Sequence, residues 1–189
     1  MKVGTRAIST YVSKGIRNKI KARLERIERY RKMKTIHCEA IHDDRVWGSI
    51  QEVIRNERFL FFCVTPVNYK YVDVVFGIDL GHEDYSELLV RRYKFLEERG
   101  QRIELHVHLA LLLHRLSYQK QESMIMGAYE WMVERGFKPA MFVPGWWSYN
   151  EDTVKIIKKL GLKLILYKDY LYLHDYQLMD YLKGKIDFT

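Results

Sequence analysis

From residue 34 onward, two apolar patterns take turns along the chain. The first is short and dense: KTIHCEAI (34–41), RFLFFCVTP (58–66), RIELHVH (102–108), FKPAMFV (137–143), and the stretches 162–167 and 171–173. Such runs of β-branched and aromatic residues predict strands. The unbroken RFLFFCVTP predicts one buried on both faces, as in a parallel sheet. The second pattern spaces its apolar residues by three or four: Val46, Trp47, Ile50, Val53 and Ile54 over 45–56, then Leu88, Leu89, Tyr93 and Leu96 over 84–99. Further helices are predicted over 118–135, 151–160 and 176–183. Asp44, Ser117 and Asn150 stand where N-caps belong, and Gly100, Gly136 and Gly161 stand where helices stop. Residues 71–78 fit either another strand or a loop inserted over the strand ends. This alternation predicts an α/β fold with mainly parallel strands. About six strands suit an open sheet or an incomplete, distorted (β/α) barrel better than a full eight-unit barrel.

Ahead of that pattern, Ile8, Val12, Ile16, Ile20, Leu24 and Ile27 make one apolar stripe at helical spacing, which predicts a helix over 8–33. Lys14, Arg17, Lys19, Lys21, Arg23 and Arg31 crowd the rest of its surface. Residues 1–34 hold twelve Lys/Arg against Glu25 and Glu28, while the whole chain nets +8. The excess basicity therefore belongs to this segment, and the expected organisation is a basic amphipathic helix at 1–33 followed by an α/β domain at 34–189. The basic face is either solvated on a docked helix or meets an anionic partner such as nucleic acid or a membrane surface.

The 189 residues, 48% of them hydrophobic, suffice for one domain with a sizeable core. Cys38 and Cys63 lie in apolar, strand-like runs and read as buried free thiols. The basic N-terminus lacks the apolar run of a signal peptide, and no stretch reaches transmembrane length, so an intracellular, cytoplasmic protein is expected. Abundant Lys, Arg, Glu, Ile and Tyr beside few Gln and Asn fit a thermophile.

In parallel α/β folds, chemistry gathers at the carboxyl ends of the strands. The polar and aromatic residues there are Glu39, His42, Asp43, Asp44, Asn68, His106, His108, Trp146, Trp147, Asp169 and His174. Carboxylates and imidazoles in such places need partners or a metal. His106 and His108 are two apart, so on a strand they point to one face, and neutral imidazole is a natural ligand for zinc and its neighbours. A hydrogen-bonded polar pair at a strand mouth fits the same spacing.

Across roughly residues 35–175, the order of these motifs resembles the polysaccharide deacetylase family, metal-dependent carbohydrate esterases with a distorted α/β barrel. EERGQRIELHVHLALLLHRLS follows the layout of that family's second motif, a histidine at a strand end and then a helix opened by Leu-Ser. GFKPAMFVPGWWSYNEDTVKIIKKLGLK resembles its third motif and the helix after it. LYLHDY resembles the late Leu-x-His motif, whose histidine serves the family as general acid. There are departures. Where the family places a second metal histidine four residues after the first, this chain has Ala110, which leaves His108 or His114 to substitute, with His108 the better placed. Phe142 and Val143 stand where an arginine before the proline orients the family's catalytic base. Asp43-Asp44 matches the first motif literally, yet the spacing to the FLFF strand falls nearer His37–Glu39, so either could supply the carboxylates.

The resemblance implies hydrolysis of an N-acetyl amide on a sugar or related molecule, with a divalent metal for which zinc suits His and Asp ligands. It implies Asp44, His106 and His108 as ligands, Asp43 or Glu39 as general base, and His174 as the acid that protonates the leaving amine. A backbone N–H near Gly145 or Trp146 would serve the oxyanion. Trp146, Trp147 and Tyr149 would form a platform for a sugar ring. The plainer alternatives are Asp44 as a simple N-cap, the tryptophans as core, and His37 and His42 as bystanders. A second expectation is a catalytically inactive domain of this fold that binds an anionic partner through 8–33. A homodimer covering an open sheet edge is a further expectation.

Overall fold

Each dense apolar run that can be followed becomes a strand, and each amphipathic stretch a helix. The computed structural model describes residues 34–68, 85–109, 116–166 and 170–189, all within one unit spanning Met33–Thr189. The basic helix at 8–33, the 71–78 segment, Ala110, His114 and Asp169 lie outside the described residues.

The strands are β1 (Lys34–Cys38), β2 (Phe59–Cys63), β3 (Arg102–Val107), β4 (Met141–Pro144), β5 (Lys163–Leu164) and β6 (Tyr172–His174). The helices are α1 (Asp44–Val53), α2 (Tyr85–Glu98), α3 (Tyr118–Glu134), α4 (Glu151–Lys159) and α5 (Leu178–Leu182). One sheet holds all six strands in the order β5-β4-β3-β2-β1-β6, and every pairing is parallel. The first five strands follow chain order, and the sixth returns to the far side of β1. That is the order of a (β/α) barrel left open between its last two strands. The edge strands are short, and Tyr172 and Thr189 exchange backbone hydrogen bonds along the outer edge of β6, which reduces the exposed template that an open edge presents.

Register assigns each residue to a face. His174, His37, Phe62 and Glu104 form one lateral row across β6, β1, β2 and β3. Side chains alternate along a strand, so the neighbouring positions point the other way. Those neighbours are Ile36 and Cys38, Phe59, Phe61 and Cys63, Ile103, Leu105 and Val107, Phe142 and Leu173. All of them belong to the main apolar core, together with Ile50, Leu89, Tyr93, Leu96, Ile125, Met132 and Ile156 from the helices. One face of the sheet is thus a conventional sheet-on-helix core. The opposite face carries Thr35, His37, Glu39, Glu104, His106, His108 and His174, and turns its polar residues inward. β2 is buried at all five positions, as its sequence predicts.

Two predicted boundaries shift. Asp43, not Asp44, is the N-cap of α1: its carboxylate accepts the Arg45 and Val46 N–H groups at 2.7 and 3.3 Å. Asp44 is already the helix's first residue. The 137–143 stretch pairs only from Met141. Glu104, buried inside the sheet, explains where it begins, because its carboxylate accepts the Ala140 and Met141 N–H groups, both at 2.6 Å, and also pairs with Arg102. Ser117 and Asn150 cap α3 and α4 as expected, the latter in a full capping box with Thr153. Among the described residues, no helix is long and apolar enough to cross a membrane.

Candidate metal centre

Three strand ends bring the polar inner face to a focus. β1 ends at Cys38, and Glu39 follows at once, two residues beyond His37 and on the same side. β3 contributes His106 and, just past its end, His108. β6 contributes His174. Glu39 Oε1 lies 3.6 Å from His106 Nε2, 3.4 Å from His108 Nε2 and 3.2 Å from His174 Nδ1. The two Nε2 atoms of His106 and His108 are 3.1 Å apart.

Glu39, His106 and His108 can each offer one ligand atom, with all three atoms within 4.8 Å of one another. Among the described residues, Glu39 is the one carboxylate in that group. Asp44 is not in it. Its side chain is 93% exposed and pairs with the buried Arg92, so the carboxylate expected as third ligand is turned away from the sheet. Asp43 is spent on the α1 cap and an ion pair with Arg45, so it does not reach the cluster as a base. The reason is geometric. Five and six residues past the strand end, Asp43 and Asp44 already form the cap and first residue of α1, whereas Glu39 still holds the strand's inward phase.

The donor set fits a divalent cation. His106 Nδ1 lies 3.0 Å from the Val143 carbonyl. A carbonyl only accepts, so Nδ1 carries the proton and the Nε2 lone pair faces Glu39 and His108. The carboxylate and imidazole nitrogens therefore crowd their acceptor sides together, which is favourable only around a cation or shared protons. The separations of 3.1, 3.4 and 3.6 Å match the edges, about 3.3 Å, of a tetrahedron drawn at zinc-like ligand distances. The protonation states agree with this. Burial pushes the Glu39 carboxyl up, but the three imidazoles clustered around it outweigh burial and hold it well below the usual carboxylate range. Burial first, and then the neighbouring His108, push His106 down to about 4 despite the Glu39 charge. An ionised carboxylate and a neutral imidazole are the ligand forms a metal requires.

The cluster is closed on one side and open on the other. His106 and His108 are buried, while Glu39 and His174 each keep a quarter of the side chain exposed. His174 stacks on Tyr176 with ring centroids 5.0 Å apart. Beside it, the fully buried Asp175 accepts the Ala40 N–H at 2.8 Å, tying the β6 end to the loop that carries Glu39. Burial, the largest cause, raises the Asp175 carboxyl to about 7. Asn68 Oδ1 accepts the His108 backbone N–H at 3.2 Å.

His37, a bystander in the plain reading of the sequence, forms the floor of the cluster. It stacks on Tyr172 at 4.7 Å, and its ring lies 5.3 Å from that of His106 and 5.5 Å from that of His174. Burial, then the nearby His106 and His174, hold its imidazole far below the ordinary range and so neutral. The signal for it was present, since His37 and Glu39 are two apart on a predicted strand. His42 sits apart, beside Tyr85.

After β4, the turn Gly145–Trp147 places two successive tryptophans in the left-handed region, Trp146 at φ 50° and Trp147 at φ 53°. For a residue with a Cβ this costs on the order of 1–2 kcal/mol each. It also sends the rings in different directions. Trp147 packs on His37 and Tyr172 at 5.5 and 5.4 Å. Trp146 stands edge-on to His108 at 4.7 Å and remains 45% exposed. Tyr149 is 40% exposed. Strain of this kind at a strand end is characteristic of functional positions.

No family model and no curated protein sequence matches the chain, but solved structures share its fold. A family 4 carbohydrate esterase pseudoenzyme from Bacillus anthracis superposes with a TM-score of 0.56 at 13% identity, over 82% of this chain and 62% of that one. A mutant of that protein described as having restored enzymatic activity gives 0.56 at 12% identity, over 81% and 62%. A family 4 carbohydrate esterase from Streptomyces lividans, solved in complex with acetate, gives 0.56 at 12% identity, over 81% and 88%. The chain thus spans less than two thirds of the Bacillus protein's length. At these identities the likeness is one of fold: six parallel strands alternating with helices, as in the distorted barrel of the family 4 carbohydrate esterases.

Proposed function

We propose that the chain is a metal-dependent hydrolase that removes an acetyl group from an N-acetylated sugar or a related amide. The convergence of Glu39, His106, His108 and His174 from three strand ends onto one point, open to solvent on the side of Glu39 and His174, carries this reading. Glu39, His106 and His108 would hold the divalent ion, zinc by the chemistry of the set. Such an ion supplies a polarised acetyl carbonyl and a more acidic water. The remaining steps belong to the protein. His174, a quarter exposed and 3.2 Å from Glu39 Oε1, would take a proton from the attacking water and deliver one to the departing amine nitrogen. The backbone N–H at Gly145 is the candidate oxyanion donor. The exposed ring of Trp146, with Tyr149 nearby in sequence, offers an apolar face for the C–H side of a sugar. The Val143 carbonyl keeps His106 in its ligating tautomer. Elemental analysis of untagged protein should find about one equivalent of divalent metal, and acetate should be released from N-acetylglucosamine oligomers. His106→Ala should lose both. Metal-free protein that keeps full amidase activity would end the proposal.

A second reading has its own observation: with Asp43 and Asp44 turned away, the cluster has no second carboxylate among the described residues to act as base. In that reading the domain is catalytically inactive and serves an anionic partner through residues 8–33. Nucleic-acid or acidic-vesicle binding would then weaken steeply with salt and with neutralisation of Lys14, Arg17 and Lys21 together. Binding that is indifferent to both would exclude it.

A further inference from the structure

His108 follows β3 where the chain leaves the sheet, and β3 pairs with β4 in the register His106↔Val143 and Val107↔Pro144. The next step of that register sets His108 beside Gly145. Neighbours across parallel strands carry side chains on the same face, so a side chain at 145 would project toward the imidazole. The space there is already taken. A Cβ built on Gly145 would overlap the His108 ring at Nδ1, Cγ and Cε1, the last at 2.7 Å and the other two closer. Real Cβ atoms do not approach so near, so the ring would have to leave.

It has nowhere to go without losing the cluster. Its Nε2 faces His106 Nε2 at 3.1 Å and Glu39 at 3.4 Å, its edge meets Trp146, and its backbone is held by Asn68. Its Nδ1 is buried with no hydrogen-bond partner among the described residues, because it lies against the Gly145 backbone and not against a polar side chain. Gly145 does not adopt a left-handed φ, unlike Gly100, Gly136, Gly161 and Gly184, so backbone conformation does not call for glycine at this position. The missing side chain does.

We infer that Gly145 is the positioning residue for His108: the absence of a Cβ just past β4 lets two histidines only two apart at the end of β3 act as a convergent pair. The inference rests on the metal reading for its purpose, but not for its geometry.

Zinc and cobalt(II) titrations of wild type, Gly145→Ala, His108→Ala and the double variant test it. Gly145→Ala should weaken metal affinity by about 10- to 100-fold, the range seen when ligand orientation is lost, and should alter the cobalt(II) absorption spectrum. The double variant should bind no more weakly than His108→Ala alone, because the clash has lost its object. A Gly145→Ala protein with wild-type affinity and spectrum would overturn the inference, as would additive losses in the double variant. If Gly145→Ala fails to fold, His108→Ala should restore folding, and failure to do so also counts against it. If wild type binds neither metal, the metal reading falls while this inference is still decided by imidazole NMR: the His108 ring resonances should move in Gly145→Ala while His37 stays in place, and unmoved His108 resonances would refute it.

Discussion

At the scale of single residues, what separates Glu39 from Asp44 is surroundings, not chemistry. Both are carboxylates close behind β1. Glu39 keeps the inward phase of the strand and meets three imidazoles, while Asp44 opens a helix and lies 93% exposed against Arg92. Glu39→Gln should therefore lower metal affinity by at least about 100-fold, since a neutral amide is a poor substitute for a ligating carboxylate. Asp44→Asn should change it less than about threefold. Competition with a chromophoric chelator measures both, and equal losses would reinstate Asp44 as a ligand. The H-x-H pair was legible as soon as β3 was recognised. That Glu39 and not Asp44 completes it was open in the sequence, because a one-dimensional pattern does not say at which residue a strand stops and a helix takes over.

At the scale of elements, the loop between β1 and α1 is held from outside the sheet. The buried guanidinium of Arg92 on α2 donates to the Ile41 carbonyl, reaches the Asp43 carbonyl at 3.4 Å, pairs with Asp44, and lies over the Trp47 ring at 5.2 Å. Arg92→Met keeps the bulk and removes every donor, leaving the Ile41 carbonyl without one. It should destabilise the protein by about 2–4 kcal/mol in urea unfolding. It should also weaken metal binding, because the same loop carries Glu39. Asn150→Ala is the contrasting case. It removes the cap of α4 and its reciprocal bond with Thr153, should cost about 1 kcal/mol, and should leave metal affinity unchanged. An equal effect of both variants on the metal would show that loss of stability, and not the loop, was being read. The caps at Ser117 and Asn150 were legible because capping is local chemistry. Arg92 was not, because its partners lie some fifty positions away in sequence.

At the scale of the whole molecule, the barrel interior carries titrating groups whose effects on stability oppose each other. His106 titrates at about 4 in the folded chain against an ordinary 6.5. Between those values the unfolded chain binds a proton that the folded one refuses, so stability falls as pH drops through that window. His37 acts in the same direction. Asp175, buried and raised from 3.8 to about 7, does the reverse: the folded chain keeps a proton that the unfolded carboxyl has released, so stability falls as pH rises from about 4 to 7. The slopes partly cancel in the wild type. Asp175→Asn removes one of them, so the metal-free variant should gain more stability than wild type between pH 5 and pH 7.5. Urea midpoints in EDTA at the two values check this, and parallel profiles would count against the assignment.

The sequence by itself determined the order of strands and helices, most of their caps and stops, the fully buried β2, and the α/β class, because periodicity and capping act over a few residues. It also brought His106, His108 and His174 to strand ends. Only the tertiary structure decided which carboxylate meets them, that His37 lies beneath them, and that a glycine just past β4 makes room for His108. Those outcomes depend on register between strands that are distant in sequence, and register is set by the packing of the whole sheet.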